Sequence, residues 1–366
     1  MRAKVLSENL KSAVKWLKPG TPKGSVLPVL SNVLIEAKHQ GVRLTLTDLD
    51  LAVSAFAGGK VSVTGATTIP FKEFARLVES LPDDLAEFKT SQTKKGQFAK
   101  ETCTVSCGSL SVDFRAITAD EFPLIKPVQG DTLKDVARLP EACRLIVHAI
   151  STGDGRPALN YACWHEGCIV GVDGFRLAKV DLPTPNGKPI YLPVGLVGFL
   201  SRQKDGPTKA VVNYESNGVA VWFGDSFVQA KMYNGNWPDW KQIAPSSFAW
   251  EIRVPYQPLY QAAKLLKQLA PGADILRLQY KRGKLVLTAS ESETFEATQE
   301  IRAEAEGVKN LAEPFALNVK YLLDTLGARG LDDKEWVAIQ GVSPSSPLVI
   351  SDFRSGLWEL MMPMHI

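Results

Sequence analysis

Chemistry in this chain would have to come from a short set of side chains. Cys163, His165 and Cys168 lie within six residues, and thiols with an imidazole are zinc-ligand types. Structural zinc, however, needs a second pair at ligand spacing, and none accompanies them. Cys103 and Cys107 stand i, i+4 in an alternating segment, on one side of a strand but about 13 Å apart. Asp48 and Asp50 could be read as a metal-binding carboxylate pair, yet Asp-Leu-Asp at a strand end is more often turn chemistry. The four histidines, His39, His148, His165 and His365, are scattered without a carboxylate–nucleophile pattern. The sequence contains no G-x-S-x-G, no P-loop ending in G-K-[ST] and no H-E-x-x-H. These residues read as buried thiols and turns. No catalytic site, metal or cofactor is expected, and binding is the chemistry left to look for.

The binding candidates are basic. Lys11, Lys15 and Lys18 fall at i, i+4 and i+7, one stripe of a helix; Lys72 and Arg76 are four apart, and Lys264 and Lys267 three apart. Net charge is only +3, so any positive surface must be made by placement. Lysine on the outer face of a single helix is ordinary solvation. If all the helices of the chain faced one direction, that surface would be basic although the molecule is nearly neutral.

The elements that must position these residues repeat. The apolar spacing of Leu10, Val14 and Leu17 predicts a helix from about Glu8 to Leu17, stopped by Pro19 and Gly20. Alternation predicts strands at Asn32–Ala37, Val42–Thr47 and Ala52–Ala57, with polar or glycine turns between them. Phe71, Phe74, Ala75, Val78 and Leu81 share one face of a second helix. Strands follow at Ala86–Ser91, Cys103–Cys107 and Ser111–Ile117, with the polar stretch Gln92–Thr102 expected as an exposed tip. Further helices are expected at about Pro140–Ile150 and Pro258–Leu269.

The same pairing of an extended segment with a short helix occurs three times, starting at Pro70, Pro193 and Asn318, which are 123 and 125 residues apart. Asp48 precedes Asp173 by 125 residues, and Phe122-Pro123 precedes Trp237-Pro238 by 115. Repeats this long are whole domains rather than solenoid units. Linkers near Lys126–Thr132 and Ala244–Phe248 give the expected division: 1–127, 128–246 and 247–366. Strands and helices segregate within each unit, an α+β arrangement with helices on one face of antiparallel sheet. Three copies of one domain suggest an arc of a ring. The 366 residues, 45% hydrophobic, can fill such cores. No run approaches a membrane span, the amino terminus has no signal-peptide core, and five cysteines argue for a reducing, cytosolic compartment.

The stretch Leu27-Pro28-Val29-Leu30-Ser31-Asn32-Val33-Leu34 with Leu44-Thr45-Leu46-Thr47-Asp48-Leu49-Asp50 resembles the start of the bacterial sliding clamps, the beta subunit of DNA polymerase III. The resemblance continues through Val172-Asp173-Gly174-Phe175-Arg176-Leu177-Ala178 and Gly235-Asn236-Trp237-Pro238-Asp239-Trp240 to Met362-Pro363-Met364-His365-Ile366, so it covers the whole chain. It implies three clamp domains per chain and a head-to-tail homodimer. The ring has sheets outside and helices lining a hole for double-stranded DNA, and it tethers a polymerase by topology. Diffuse phosphate attraction suits sliding, whereas tight base contacts would stop it. Lys23 and Arg156 join the six lysines and Arg76 as DNA-binding candidates.

The resemblance also implies a hydrophobic cleft for linear peptides of polymerases, the clamp loader and repair proteins, each with a leading glutamine and a trailing aliphatic–aromatic pair. Its residues would be Leu159, Val172, Gly174, Phe175, Arg176, Leu177, Pro238, Gln242 and Ile243, with Asn318, Tyr321, Pro344, Ser346, Leu360, Met361, Met362, Pro363 and Met364. Methionine suits several partner peptides because it is polarizable and unbranched. Val112 and Phe114 would lie near the dimer contact. Against the family's usual pattern, Phe175 replaces histidine, Gln242 a basic residue and Gly24 an arginine, and the chain is slightly basic where clamps are typically acidic. The first two shift partner preference toward apolar peptides. A metal- or carboxylate-dependent nucleic-acid enzyme on a clamp-like scaffold is the alternative.

Overall fold

The computed structural model describes residues 1–21, 27–95, 98–184, 187–291, 295–307, 313–352 and 354–365. Lys23, Gly24 and Ile366 lie outside the described residues. The first run of elements is β1 (Arg2–Leu6), α1 (Ser7–Leu17), β2 (Asn32–Lys38), β3 (Gly41–Thr47), β4 (Leu51–Val63), β5 (Gly65–Pro70), α2 (Phe71–Ser80), β6 (Leu85–Lys95), β7 (Phe98–Cys107) and β8 (Leu110–Ala116). The second repeats that order: β9 (Asp131–Leu133), α3 (Leu139–Ile146), β10 (Tyr161–His165), β11 (Cys168–Val172), β12 (Arg176–Asp181), β13 (Ile190–Pro193), α4 (Val194–Leu200), β14 (Lys209–Asn213), β15 (Gly218–Phe223) and β16 (Ser226–Lys231). The third inserts one short strand: β17 (Trp250–Pro255), α5 (Tyr256–Leu269), β18 (Ile275–Lys281), β19 (Lys284–Ser290), β20 (Glu296–Arg302), β21 (Glu304–Glu306), β22 (Phe315–Asn318), α6 (Val319–Arg329), β23 (Trp336–Gly341), β24 (Leu348–Ser351) and β25 (Leu357–Met361).

The repeat extends to register. In each run the strand that leads into the second helix pairs with the strand after the first helix, ending at Asn32↔Pro70, Tyr161↔Pro193 and Ile275↔Asn318. These partners are the three positions whose spacing marks the repeat in the sequence. Pro70 and Pro193 hold the extended backbone that a helix entrance requires. Asn318 does the same with a side-chain cap, its Oδ1 accepting from the amides of Lys320 (3.0 Å) and Tyr321 (3.2 Å).

Compactness divides the chain along its sheets rather than its repeats. One unit is Met1–Ala137 with Asp205–Met232; the other is Arg138–Lys204 with Tyr233–Ile366. The second run is therefore shared, with β9 and β14 to β16 in the first unit and α3, β10 to β13 and α4 in the second. Each unit joins strands of adjacent runs: β4 pairs β16 in one, and β12 pairs β25 in the other.

The first unit holds a 12-stranded antiparallel sheet whose main path is β8-β7-β6-β1-β4-β16-β15-β14-β9, with β2, β3 and β5 branching from it. The strand β4 runs on to Val63, past the Gly58-Gly59 that reads as a turn, because its second half pairs with β1. Gly59 permits this: a Cβ there would meet the Lys4 carbonyl at 2.3 Å. The Gln92–Thr102 stretch is extended in the same way. The β6–β7 ladder continues to Lys95 opposite Phe98, so the stretch is mostly hairpin. Helices α1 and α2 pack together, burying Leu10, Val14, Leu17, Phe74 and Val78. Phe74 lies 6.1 Å from Phe88 and 6.4 Å from Phe114 (ring centroids).

The second unit contains a nine-stranded sheet, β13-β10-β11-β12-β25-β24-β23-β17-β21, and a four-stranded sheet, β20-β19-β18-β22. Its α3 packs on α4 and α6, and its α5 on α6. The core gathers Trp250, Leu259, Leu266, Phe315 and Leu322. Among the described residues no helix is long and apolar enough to cross a membrane.

Candidate functional site

The second unit brings most of the expected cleft residues together. Leu159, Val172, Leu177 and Leu360 form one buried apolar cluster with Cys168 and Val170. They converge because β11, β12 and β25 are neighbours in one sheet and alternate residues share a face. That alternation corrects one assignment: Met361 turns to the opposite face and is fully buried in the other core. Phe175 (62% exposed) and Met362 (41%), joined by a backbone bond, and Ile243 (48%), whose amide bonds the carbonyl of the Trp240 that packs on the cluster, leave apolar surface open to solvent. Pro238 is exposed as well. Burying such surface under a ligand is worth about 25 cal/mol per Å².

Backbone bonds hold the rim in place. Met362 donates its amide to the Phe175 carbonyl (2.8 Å), and Met364 donates to Ala316 (2.8 Å), which pins the half-buried Pro363 between them. Asp173 closes the Gly174 turn, its Oδ1 accepting from the amides of Phe175 (2.9 Å) and Arg176 (3.0 Å). Gly174 has φ of 98°, a conformation that side chains strain. Arg156 stands at this turn: a Cβ on Gly174 would come within 3.4 Å of its guanidinium.

Arg176 is 6% exposed and satisfied on all sides. It donates to Asp173 (3.0 Å), Asp324 (3.1 Å) and the His148 carbonyl, and its guanidinium lies over the Tyr321 ring at 4.2 Å. Burial and the Asp173 carboxylate push the Tyr321 hydroxyl up from its ordinary value, against the pull of Arg176. The fully buried Glu359 is held by His148 (2.9 Å) and Thr325 (2.5 Å). Pro344 and Ser346 lie in the β23–β24 turn, closed by the bond from the Ser343 amide to Ser346 Oγ (2.8 Å). That turn precedes Leu348, which pairs with Met361, so it flanks the strand end where Met362 emerges. Gln242 donates to Asp239 (3.3 Å).

Sequence reasoning missed the aromatic wall. Trp237, Trp240 and Trp358 pack against the apolar cluster, with Trp240 and Trp358 6.3 Å apart and Trp237 Nε1 bonded to the Tyr161 carbonyl (3.0 Å). The Gly235–Trp240 motif contained the signal for the first two.

The basic stripe is partly neutralised. Lys11 pairs with Asp83 (3.0 Å) and Lys18 with Glu79. Lys15, Lys72, Arg76 and Lys264 are exposed, and among the described residues no ion pair of theirs is recorded. Lys267 is held differently. Its ammonium donates to the carbonyls of Pro271 and Ala273 (2.9 Å each), fastening the end of α5. Val112 is half-buried on the edge strand β8, and Phe114 is buried against Phe74.

The chemical candidates settle into structure. All five cysteines are unpaired thiols, and burial raises Cys103 and Cys163 to about 12. Asp48 Oδ1 accepts from the amides of Asp50 (3.1 Å) and Leu51 (2.7 Å), so that pair is turn chemistry.

Residues 1–126 match the family DNA polymerase III beta subunit, N-terminal domain, and residues 241–365 match the DNA polymerase III beta subunit, C-terminal domain. The chain belongs to this family, the bacterial sliding clamps. The beta sliding clamps of Chlamydia pneumoniae and Synechococcus elongatus are 25% and 27% identical to it, over 99% and 98% of this chain and 98% and 97% of theirs. Among solved structures, a Pseudomonas aeruginosa sliding clamp bound to griselimycin has a TM-score of 0.84 at 23% identity, covering all of both chains. Sliding clamps are non-catalytic processivity factors of DNA replication, and that is the function of this chain. The reading as a nucleic-acid enzyme finds no support.

Proposed function

We propose that residues 1–127, 128–246 and 247–366 act as three clamp domains, and that two chains close head to tail into a ring around duplex DNA in the cytoplasm. Two unpaired sheet edges support the assembly: β8 in the first unit and β20 in the second. An exposed edge is a ready template for another chain, and different edges on one molecule make a heterologous contact that can close a ring. Beside β20, Leu265 (44% exposed) lines a groove of about 400 Å³ against α5. The strand β8, with Val112 and Phe114 on its helix side, is the partner this groove would take. Lys15, Lys72, Arg76 and Lys264 supply salt-sensitive phosphate attraction, and Lys11 and Lys18 a weaker share.

The observation that carries the partner reading is the open apolar rim of Phe175, Ile243 and Met362 over a buried floor. A linear peptide from a polymerase, a clamp loader or a repair protein buries its aliphatic–aromatic end there. The test is retention on loader-assembled DNA. Complexes should persist on nicked circles and run off after linearisation, and equal lifetimes on both would overturn the ring. Deleting Met362 to Ile366 should abolish polymerase stimulation while the dimer remains. Unchanged affinity for a polymerase-derived peptide would overturn the cleft.

A further inference from the structure

The 125-residue correspondence between Asp48 and Asp173 is reproduced bond for bond. Asp48 accepts from Asp50 and Leu51 as Asp173 accepts from Phe175 and Arg176. The Asp48 amide donates to the Leu51 carbonyl (3.1 Å), and that of Asp173 to the Arg176 carbonyl (3.2 Å). The Lys231 backbone amide donates to the Asp50 carbonyl (3.2 Å) as the Met362 amide donates to that of Phe175 (2.8 Å). The strand that follows each turn pairs with a strand of the next run, Ala52 with Gln229 and Leu177 with Leu360. The segment at Pro123 lies 115 residues before Pro238, and Gln229 straps it to the sheet by donating to the Lys126 carbonyl (3.0 Å) and accepting from the Val128 amide (3.2 Å). The backbone of the cleft is therefore built a second time, inside the first unit. There it encloses a cavity of about 310 Å³ lined by Leu49, Ala52, Leu124, Ile125, Lys126 and Lys231, among others.

Two residues set this second groove apart. Leu49 holds φ of 83° where the cleft has Gly174, a conformation that costs a leucine energy, and it remains 51% exposed. Leu124 is 80% exposed. Strain and exposed apolar surface at one mouth point to a ligand. The charges at the mouth are Lys126 and Lys231 against Asp50, all exposed, and no ion pair of either lysine is recorded among the described residues.

We propose that this groove is a second docking site, for an extended acidic peptide segment of a replication partner that inserts one apolar side chain between Leu49 and Leu124. Flanking carboxylates meet Lys126 and Lys231. The proposal rests on the peptide reading of the cleft for its geometry, but its ligand is different. Where the cleft presents Met362, the groove presents Lys231, so it selects acidic over glutamine-led peptides.

The test uses the full chain and three fluorescein-labelled octapeptides: a Leu-Phe pair flanked by aspartates, the same pair flanked by lysines, and a glutamine-led cleft peptide. The aspartate peptide should bind protein lacking residues 362–366, and equally protein whose cleft is saturated with unlabelled glutamine-led peptide. Leu124→Ser and Lys231→Glu should each weaken it at least tenfold while leaving the glutamine-led peptide unaffected. Leu49→Gly, which removes the side chain and suits the backbone, should weaken it without lowering Tm. Equal binding of aspartate and lysine peptides, no binding of either, or competition by the cleft peptide would overturn the proposal. So would a peptide-free mass increase abolished by Leu124→Ser, which would assign the groove to a second copy. Failure of the glutamine-led peptide on the unaltered protein would instead count against the cleft alone.

Discussion

Arg176 and Tyr321 are stacked, guanidinium over ring at 4.2 Å, and the same ring faces Phe175 at 6.5 Å. One phenol thus links the buried cation of the cleft wall to its most exposed apolar side chain. Asn318, which caps α6, accepts from the Tyr321 amide (3.2 Å) at the start of that helix. Replacing Tyr321 with leucine keeps apolar bulk but loses the ring, and cation–π contacts of this kind contribute about 0.5–2 kcal/mol. Tyr321→Leu is expected to lower stability toward urea by about 0.5–2 kcal/mol and, by loosening the Phe175 rim, to weaken a cleft peptide measured by calorimetry. Tyr321→Phe, which keeps the ring, should restore affinity.

The lysines of α1 are not equivalent. Lys15 has no recorded ion pair among the described residues, whereas Lys11 shares its charge with Asp83. Charge reversal at Lys15 should flatten the plot of log K for DNA against log salt by about 0.9 for each phosphate left without its cation. Lys11→Ala should have a smaller effect, because part of that cation is already compensated. Lys267→Ala should leave the salt slope unchanged and lower stability by about 1 kcal/mol, since it removes carbonyl-bound hydrogen bonds. Salt titrations and urea melts of the three variants separate these outcomes.

What could be read from sequence follows from the range of the interactions involved. The helix faces of α1 and α2 come from local spacing, so Leu10, Val14, Phe74 and Val78 are legible as core. The repeat was legible because Pro70, Pro193 and Asn318 occupy equivalent register. Side-chain direction at a strand end was harder: Leu360 and Met361 look alike in sequence, and only the pairing of β25 with β12 sends one to the cleft and the other to the core. Trp240 meets Trp358 across 118 residues, which no local pattern can show. The partners of Lys11 and Lys18 were hidden for the same reason. They come from α2 and the turn after it, and depend on how two helices pack.

The edge strands β8 and β20 give a test of assembly. Leu265 is apolar, 44% exposed and placed on the outer side of α5, so it contributes little to its own unit's core. Leu265→Asp should leave the far-UV spectrum and Tm of the isolated chain nearly unchanged, within about 0.5 kcal/mol for a surface site. Light scattering should nevertheless show the dimer falling to monomer, because a carboxylate buried against β8 of the partner would lose its hydration. Retention on nicked circles should disappear with it. A variant that stays dimeric would place the contact elsewhere.

The last expectation concerns acid stability. Arg329 and Asp352 form an ion pair whose side chains are both essentially out of solvent. The guanidinium also donates to the carbonyls of Leu357 (2.9 Å) and Ile350 (2.8 Å), tying the end of α6 to β24 and β25. Burial by itself would raise the Asp352 carboxyl. Bonds from the Ser355 hydroxyl and amide, the Arg329 charge and the Arg354 amide outweigh it and hold the group below the usual carboxylate range. A carboxylate depressed on folding contributes stability that is fully present above its unfolded pKa of about 3.9 and is lost as pH falls from there through the folded value. The chain should therefore keep this contribution at neutral pH and lose it below about pH 4. Asp352→Asn should remove that part of the acid dependence and lower stability at pH 7, since it leaves Arg329 buried without a counter-ion. Arg329→Ala should cost about 3–5 kcal/mol for the same reason seen from the other partner. Urea unfolding of both variants between pH 3 and pH 7 measures it; an Asp352→Asn variant with the parent's acid profile would show that other carboxylates govern the transition.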